Sequence, residues 1–103
     1  MTMQLINLYP TSGRPLSFAG KILAEASDRR PGDTCWAKVE LYRTNDHELI
    51  LSIHQIAGEA GEADVVSVYQ APDPAAMIER VHEAYGKAPE LILHLIGHAA
   101  ATA

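Results

Sequence analysis

Two alternating segments joined by a short polar turn place the strongest limit on how this chain can fold. Apolar and polar residues alternate along 35–42 and again along 49–56. This pattern is typical of β-strands that bury one face and leave the other available for contact. Residues 44–48, which lie between the two segments, are polar and suit a hairpin turn. The two segments are therefore predicted to pair as neighbouring antiparallel strands.

The burial of apolar side chains selects the length of this turn. A two-residue loop would mix the apolar row of one strand with the polar row of the other. A three-residue loop, 45–47, pairs Thr44 with Glu48 and keeps the apolar rows together, at the cost of a left-handed backbone at His47. The predicted apolar face then consists of Cys35, Ala37, Val39, Leu41, Leu49, Leu51 and Ile53.

Further strand patterns lie on both sides of this hairpin. Residues 16–27 indicate a strand or strand pair, with a bulge or bend at Gly20. Residues 64–69 alternate again and indicate another strand. The sheet is therefore predicted to be an antiparallel β-meander of three to four strands.

The last third of the chain carries helix signals. Asp73 is a good N-cap, Pro74 suits the first helical position, and Gly86 is a suitable stop after an apolar stripe. Residues 89–97 are apolar on nearly every side, which favours a short second helix, with a buried strand as the alternative. The expected class is α+β, with one or two C-terminal helices.

Composition places the chain among single globular domains. It has 103 residues, 48% hydrophobic and 20% charged, so we expect one domain over 1–103, with 1–15 and 99–103 loosely ordered. The single cysteine cannot form an internal disulfide, which fits a reducing compartment. Neither a signal peptide nor a membrane-spanning run is expected. We therefore predict a cytoplasmic protein without membrane contact.

Charge is unevenly distributed along the chain. Residues 1–45 hold six basic and four acidic side chains, whereas 46–103 hold two basic and nine acidic ones, giving a net charge of −5. An acidic half repels phosphates, so direct nucleic-acid binding is not expected. A solvated acidic surface or a basic protein partner both agree with this distribution.

The hairpin face opposite the apolar row holds the best candidates for partner binding. If a helix or the N-terminal segment covers them, they are core; if not, they form an aromatic and aliphatic contact surface. Tyr69, on the next strand, is a further candidate for this face. An acidic loop with Glu59, Glu62 and Asp64 lies beside it. The candidates on the hairpin itself are Trp36, Lys38, Tyr42, Ile50, His54 and Ile56.

Catalytic and metal-binding patterns are weaker. Cys35 and His54 fall on opposite faces of the predicted hairpin, so they do not form a thiol–imidazole pair, and no catalytic residue is assigned. His94 and His98 have the helical spacing of two metal ligands, and His82 on the preceding helix is the third ligand of this alternative metal site. No cofactor is expected.

Three short motifs carry a resemblance to a known group of proteins. They are Phe18-Ala19-Gly20-Lys21-Ile22-Leu23-Ala24-Glu25-Ala26, then Leu41-Tyr42-Arg43-Thr44, then Gly61-Glu62. Over roughly residues 16–98 the chain resembles small, uncharacterised bacterial proteins found on plasmids and prophages. In that group the hairpin usually has glycine where this chain has His47. The resemblance implies a mobile genetic element as the setting, and it implies no catalytic residue.

These patterns favour a non-enzymatic protein-interaction or regulatory module. A narrower hypothesis is a counter-defence inhibitor of the anti-CRISPR or antirestriction type, which binds a host defence complex through acidic surface. A small histidine-based metal-binding protein or enzyme is the alternative. A homodimer through the sheet face or through the apolar last segment also stays open.

Overall fold

The computed structural model describes residues 4–28, 31–32, 36–56, 64–85 and 90–102. Five antiparallel strands follow one another both in the chain and in the sheet, and two helices come after them. This confirms the α+β class, but the sheet has five strands rather than the three to four predicted. The elements are β1 (Gln4–Leu8), β2 (Leu16–Ser27), β3 (Trp36–Thr44), β4 (Leu49–Ile56), β5 (Val65–Ala71), α1 (Pro74–Tyr85) and α2 (Glu90–Thr102).

The hairpin between β3 and β4 has the predicted three-residue turn. Thr44 N–H donates to the Glu48 carbonyl at 2.9 Å, and Leu41 lies directly opposite Leu51. His47 has the left-handed backbone that the prediction required, with φ of 66°. The Thr44 hydroxyl oxygen accepts hydrogen bonds from the N–H groups of Asp46 and Glu48, which stabilises the turn.

The extra strand comes from the N-terminal segment. Residues 4–8, expected to be loosely ordered, pair with the first half of β2 as the edge strand β1. β2 is one continuous strand of 12 residues. Its register shifts between Ile22 and Ala24, so the irregularity predicted at Gly20 lies instead near Leu23.

Both helices begin close to the predicted positions, and α1 also ends where predicted. The Asp73 carboxylate accepts a hydrogen bond from Ala76 N–H at 2.8 Å, which confirms Asp73 as the N-cap of α1. The apolar segment after it is helical and not a strand. α2 also continues through Gly97 to Thr102, beyond the predicted end. Gly86 and Pro89 lie outside the described residues.

The two helices pack against one side of the sheet, which we call the outer face. α1 contacts β4 and β5, and α2 contacts β2 and β3. The apolar row predicted from the hairpin lies here, although its member Cys35 is outside the described residues. The buried core on this side consists of Val39, Leu41, Leu49, Leu51, Ile53, Ala71, Met77, Val81, Ile92, Leu95 and Ile96.

The other side, the inner face, is enclosed by the curl of the sheet. β1 and β5 are the two edge strands, yet Thr11, shortly after β1, bonds to Val66 in β5. Thr11 N–H donates to the Val66 carbonyl at 2.9 Å, and Val66 N–H donates to Thr11 Oγ1 at 2.8 Å. The sheet therefore curls until its edges meet at this point. Leu8 is brought against Tyr42 and Ile50 to form a second core.

Candidate functional site

The middle of the inner face is core and not a contact surface. Tyr42 is 7% exposed and Ile50 only 1% exposed. Leu8 from β1 belongs to the same buried cluster. The rings of Phe18 and Tyr42 meet edge to face, with 5.7 Å between their centroids. The sequence left open whether this face is a covered core or an exposed contact surface. For Tyr42 and Ile50 it is core, because the N-terminal segment covers them. Neither residue is therefore available to a partner.

The end of the same face, where β3 begins and β4 ends, is only half covered. Trp36 lies directly opposite Ile56, and Lys38 directly opposite His54. All four side chains are half-buried, and the exposed Asp64 lies beside them. We call these five residues the Trp36 rim. It contains five of the ten residues predicted from the sequence as partner-binding candidates.

A hydrogen bond fixes the polar side of the Trp36 rim. His54 Nε2 lies 3.0 Å from Asp64 Oδ2, which ties the end of β4 to the start of β5. The sequence placed both residues among the candidates, but the contact between them depends on the fold. Glu59 and Glu62, the other members of the predicted acidic loop, lie outside the described residues, as does Cys35.

Tyr69 does not belong to this face, and its predicted position was wrong. Tyr69 pairs with Leu51 of β4, and Leu51 belongs to the outer face. The Tyr69 side chain accordingly packs against the core beneath the helices. Val66 and Val68 are the β5 residues that face inward with His54 and Ser52.

Acidic side chains that sequence reasoning did not single out lie near the Trp36 rim. Glu25 in β2 is directly opposite Glu40 in β3 on the inner face. Like charges in this position repel each other. A cleft of about 360 Å³ beside them is lined by Glu25, Ser27, Trp36 and Lys38, among others. The sequence alone does not predict that Glu25 lies opposite Glu40. The bulge between Ile22 and Ala24 changes which β2 residues lie opposite which β3 residues beyond it.

The same carboxylates change the chemistry of Tyr42. Its hydroxyl donates a hydrogen bond to Glu40 Oε2 at 2.9 Å. Burial raises the pKa of Tyr42 well above its ordinary value, and the Glu40 hydrogen bond and the charges of Glu40 and Glu25 raise it further. Each of these causes disfavours a phenolate on the inner face. Tyr42 is therefore a neutral hydrogen-bond donor here and not a nucleophile.

This shift predicts a dependence of stability on alkaline pH. The unfolded chain releases the Tyr42 proton near pH 10, about the pKa of a free tyrosine, whereas the folded chain keeps it. The free energy of unfolding should therefore fall as pH rises above about 10. Tyr42→Phe should lower stability at neutral pH by about 1 kcal/mol, through the lost hydrogen bond, and should flatten this alkaline decline. Urea unfolding across the alkaline range measures both effects.

The exposed Tyr9 supplies the control for this experiment. Tyr9→Phe should leave both the neutral stability and the alkaline slope as in the wild type. An equally steep alkaline slope in Tyr42→Phe and wild type would contradict the assignment of the effect to Tyr42.

The histidines of the metal hypothesis do not come together as three ligands. His94 and His98 share one side of α2 and line a cleft of about 390 Å³ against Leu23 and Ala24 of β2. Within the described part of the chain, no group of three or more His, Cys, Asp or Glu side chains could hold a metal ion. His82 on α1 is therefore not a third ligand for this pair, contrary to the sequence-based hypothesis.

Comparisons with known proteins add no family to these observations. The chain matches no protein-family model, no curated protein and no solved structure. Among the described helices, none is long and apolar enough to cross a membrane.

Proposed function

We propose that this protein is a non-enzymatic interaction module that binds a protein partner through the Trp36 rim. The half-buried pair of Trp36 and Ile56, which lie opposite each other where β3 begins and β4 ends, carries the proposal. Tryptophan is enriched among residues that dominate binding energy, because it offers a large, rigid surface with few rotamers to fix. A partially covered tryptophan is already held in place before a partner arrives.

The surroundings of Trp36 suit a protein partner. Lys38, His54 and Asp64 place a cation, an imidazole and a carboxylate around the apolar pair, as in a polar rim around an apolar centre. Such a mixture gives specificity through hydrogen bonds and charge, while the apolar pair gives affinity. The single cysteine and the resemblance to plasmid and prophage proteins support a cytoplasmic, regulatory role on a mobile genetic element.

The acidic side chains near the rim favour a narrower candidate. Among the described residues near the rim, the carboxylates Glu25, Glu40 and Asp64 outnumber the cation Lys38, and the whole chain carries −5. A surface of this sign can occupy a basic groove that otherwise holds nucleic acid. The narrower candidate is therefore a counter-defence inhibitor of the anti-CRISPR or antirestriction type.

The first test compares partner capture by the wild type, Trp36→Ala and Leu5→Ala. The exposed Leu5 on β1 is a matched apolar control away from the rim. Tagged protein expressed in a bacterial host should retain one partner in stoichiometric amount. Trp36→Ala should bind the purified partner at least about tenfold more weakly, the loss typical of a central interface residue. Leu5→Ala should bind as the wild type does.

Two further measurements make the result decisive. The thermal midpoint of Trp36→Ala separates lost contact from lost folding. Competition by DNA or RNA for the captured partner separates the narrower candidate, which requires competition, from a general interaction module, which does not. Absence of any stoichiometric partner, or equal binding by Trp36→Ala and wild type, would refute the rim as a binding site. Light scattering that shows a dimer lost in Trp36→Ala would identify a second copy as the partner.

A further inference from the structure

The outer edge of β5 is paired over only part of its length. In an antiparallel sheet, alternate residues of an edge strand direct their backbone N–H and C=O groups away from the neighbouring strand. Val66 directs both groups to Thr11, so the residues two and four positions later, Val68 and Gln70, face the same open side. Within the described part of the chain, no backbone hydrogen bond on this side is formed by Val68 or Gln70.

A furrow runs along this unpaired part of the strand. One cleft of about 430 Å³ lies between β5 and the loop that follows β1, and Arg14 lines it. A second cleft of about 590 Å³ continues toward α1, and Arg80 lines it. Val68, Tyr69 and Gln70 line both clefts, so the two clefts lie along the same stretch of β5 as the open backbone groups, and we call them together the furrow.

Among the described residues, the charged side chains that line the furrow are mainly basic, opposite in sign to the net charge of the protein. Arg14 and Arg80 line it in a chain of net charge −5. Its acidic side chain, Glu48, already accepts a hydrogen bond from the Gln70 side-chain amide. The furrow therefore favours an acidic ligand. A second copy of this chain would bring the same two arginines to the same place, which charge disfavours.

From these observations, we infer that the edge of β5 at Val68 and Gln70 binds an extended, acidic segment of a partner protein as an added strand. Backbone hydrogen bonds to Val68 and Gln70 supply affinity that does not depend on sequence. Arg14 and Arg80 supply the preference for Asp or Glu side chains in the segment. This site is separate from the Trp36 rim and does not rest on the function proposed for the rim.

The test selects from a displayed library of random peptides of about ten residues, long enough for one added strand. The selected sequences should be enriched in Asp or Glu between β-branched residues. Synthetic peptides of these sequences should shift the backbone amide NMR signals of Val68 and Gln70. Arg14→Glu should weaken their binding, because it reverses one of the two charges in the furrow.

A matched pair of variants at Gln70 isolates the backbone contribution. Gln70→Pro removes the N–H that faces the furrow without removing a bond to β4, and proline is tolerated on such an edge. Gln70→Ala removes only the side chain. We expect binding at least about tenfold weaker in Gln70→Pro and nearly unchanged in Gln70→Ala, with similar thermal midpoints.

Three outcomes would overturn the inference. The first is a selection that yields no binding peptide. The second is equal peptide binding by Gln70→Pro and Gln70→Ala. The third is a dimer in light scattering that Gln70→Pro dissociates, because the edge would then belong to a second copy. None of these outcomes bears on binding through Trp36, so failure here is distinguishable from failure of the rim.

Discussion

Leu41→Ala is expected to lower the free energy of unfolding by about 3 kcal/mol. Leu41 is 0% exposed and lies between the sheet and the helices, directly opposite Leu51. Removal of its buried carbons forfeits transfer free energy and leaves a cavity that the strand ladder cannot close. Domains of this size have total stabilities of about 5–15 kcal/mol, so the loss is a large fraction of the whole. Urea unfolding followed by circular dichroism measures it.

Leu5→Ala is the matched control for this substitution. It removes the same atoms from a strand position that is 72% exposed, and the expected change is within about 0.5 kcal/mol. A loss below about 1 kcal/mol for Leu41→Ala would show that the outer-face core is looser than its burial indicates.

The β3–β4 hairpin was predictable because local rules were sufficient. Side chains alternate with a period of two, so a change of one residue in the turn would have moved Leu41 away from Leu51. Of the two-residue and three-residue turns, only the three-residue turn preserved the buried row, and it required a left-handed residue at His47. The first helix was predictable for a similar reason, because the Asp73 carboxylate accepts a hydrogen bond from the otherwise free N–H group of Ala76.

The burial of Tyr42 and Ile50 on the inner face was not predictable, because the residue that covers them, Leu8, is distant in sequence. Tyr42 is buried by Leu8 from a strand that is not its neighbour in the sheet. That contact requires the sheet to curl until Thr11 reaches Val66. Neither the curl nor the edge contact leaves a local pattern in the sequence. The sequence alone therefore predicts loose order for 1–15, the stretch that contains β1.

Tyr69 was assigned to the wrong face of the sheet because the sequence between β4 and β5 does not show how the two strands pair. Residues 57–64 separate β4 from β5, and a change of one residue in the length of such a connection moves every β5 side chain to the other face. The rim was found only in part for the same reason. Trp36, Lys38, His54 and Ile56 follow from the hairpin alone, whereas the contact between His54 and Asp64 depends on where β5 begins.

The remaining large effect concerns Gly20, where the sequence predicted an irregular backbone and the structure has a close approach instead. A Cβ at this position would lie 2.4 Å from the Arg43 carbonyl oxygen and 3.1 Å from two ring carbons of Phe18. The carbonyl belongs to β3 and cannot turn away without disturbing the β2–β3 ladder. Phe18 is also restrained, because its ring packs against Tyr42. Glycine is therefore required here for space and not for backbone freedom.

Gly20→Ala should consequently lower the free energy of unfolding by about 3 kcal/mol, at the upper end of the range for overpacked interiors. Gly97→Ala is the matched control, since it adds the same methyl group where nothing lies within 4 Å, inside helix α2. Alanine restricts the unfolded chain and favours the helix, so Gly97→Ala should raise stability by about 0.5–1 kcal/mol. Urea unfolding of both variants should thus give changes of opposite sign. If Gly20→Ala were as stable as the wild type, β2 and β3 could not approach each other as closely as the register between Gly20 and Thr44 requires.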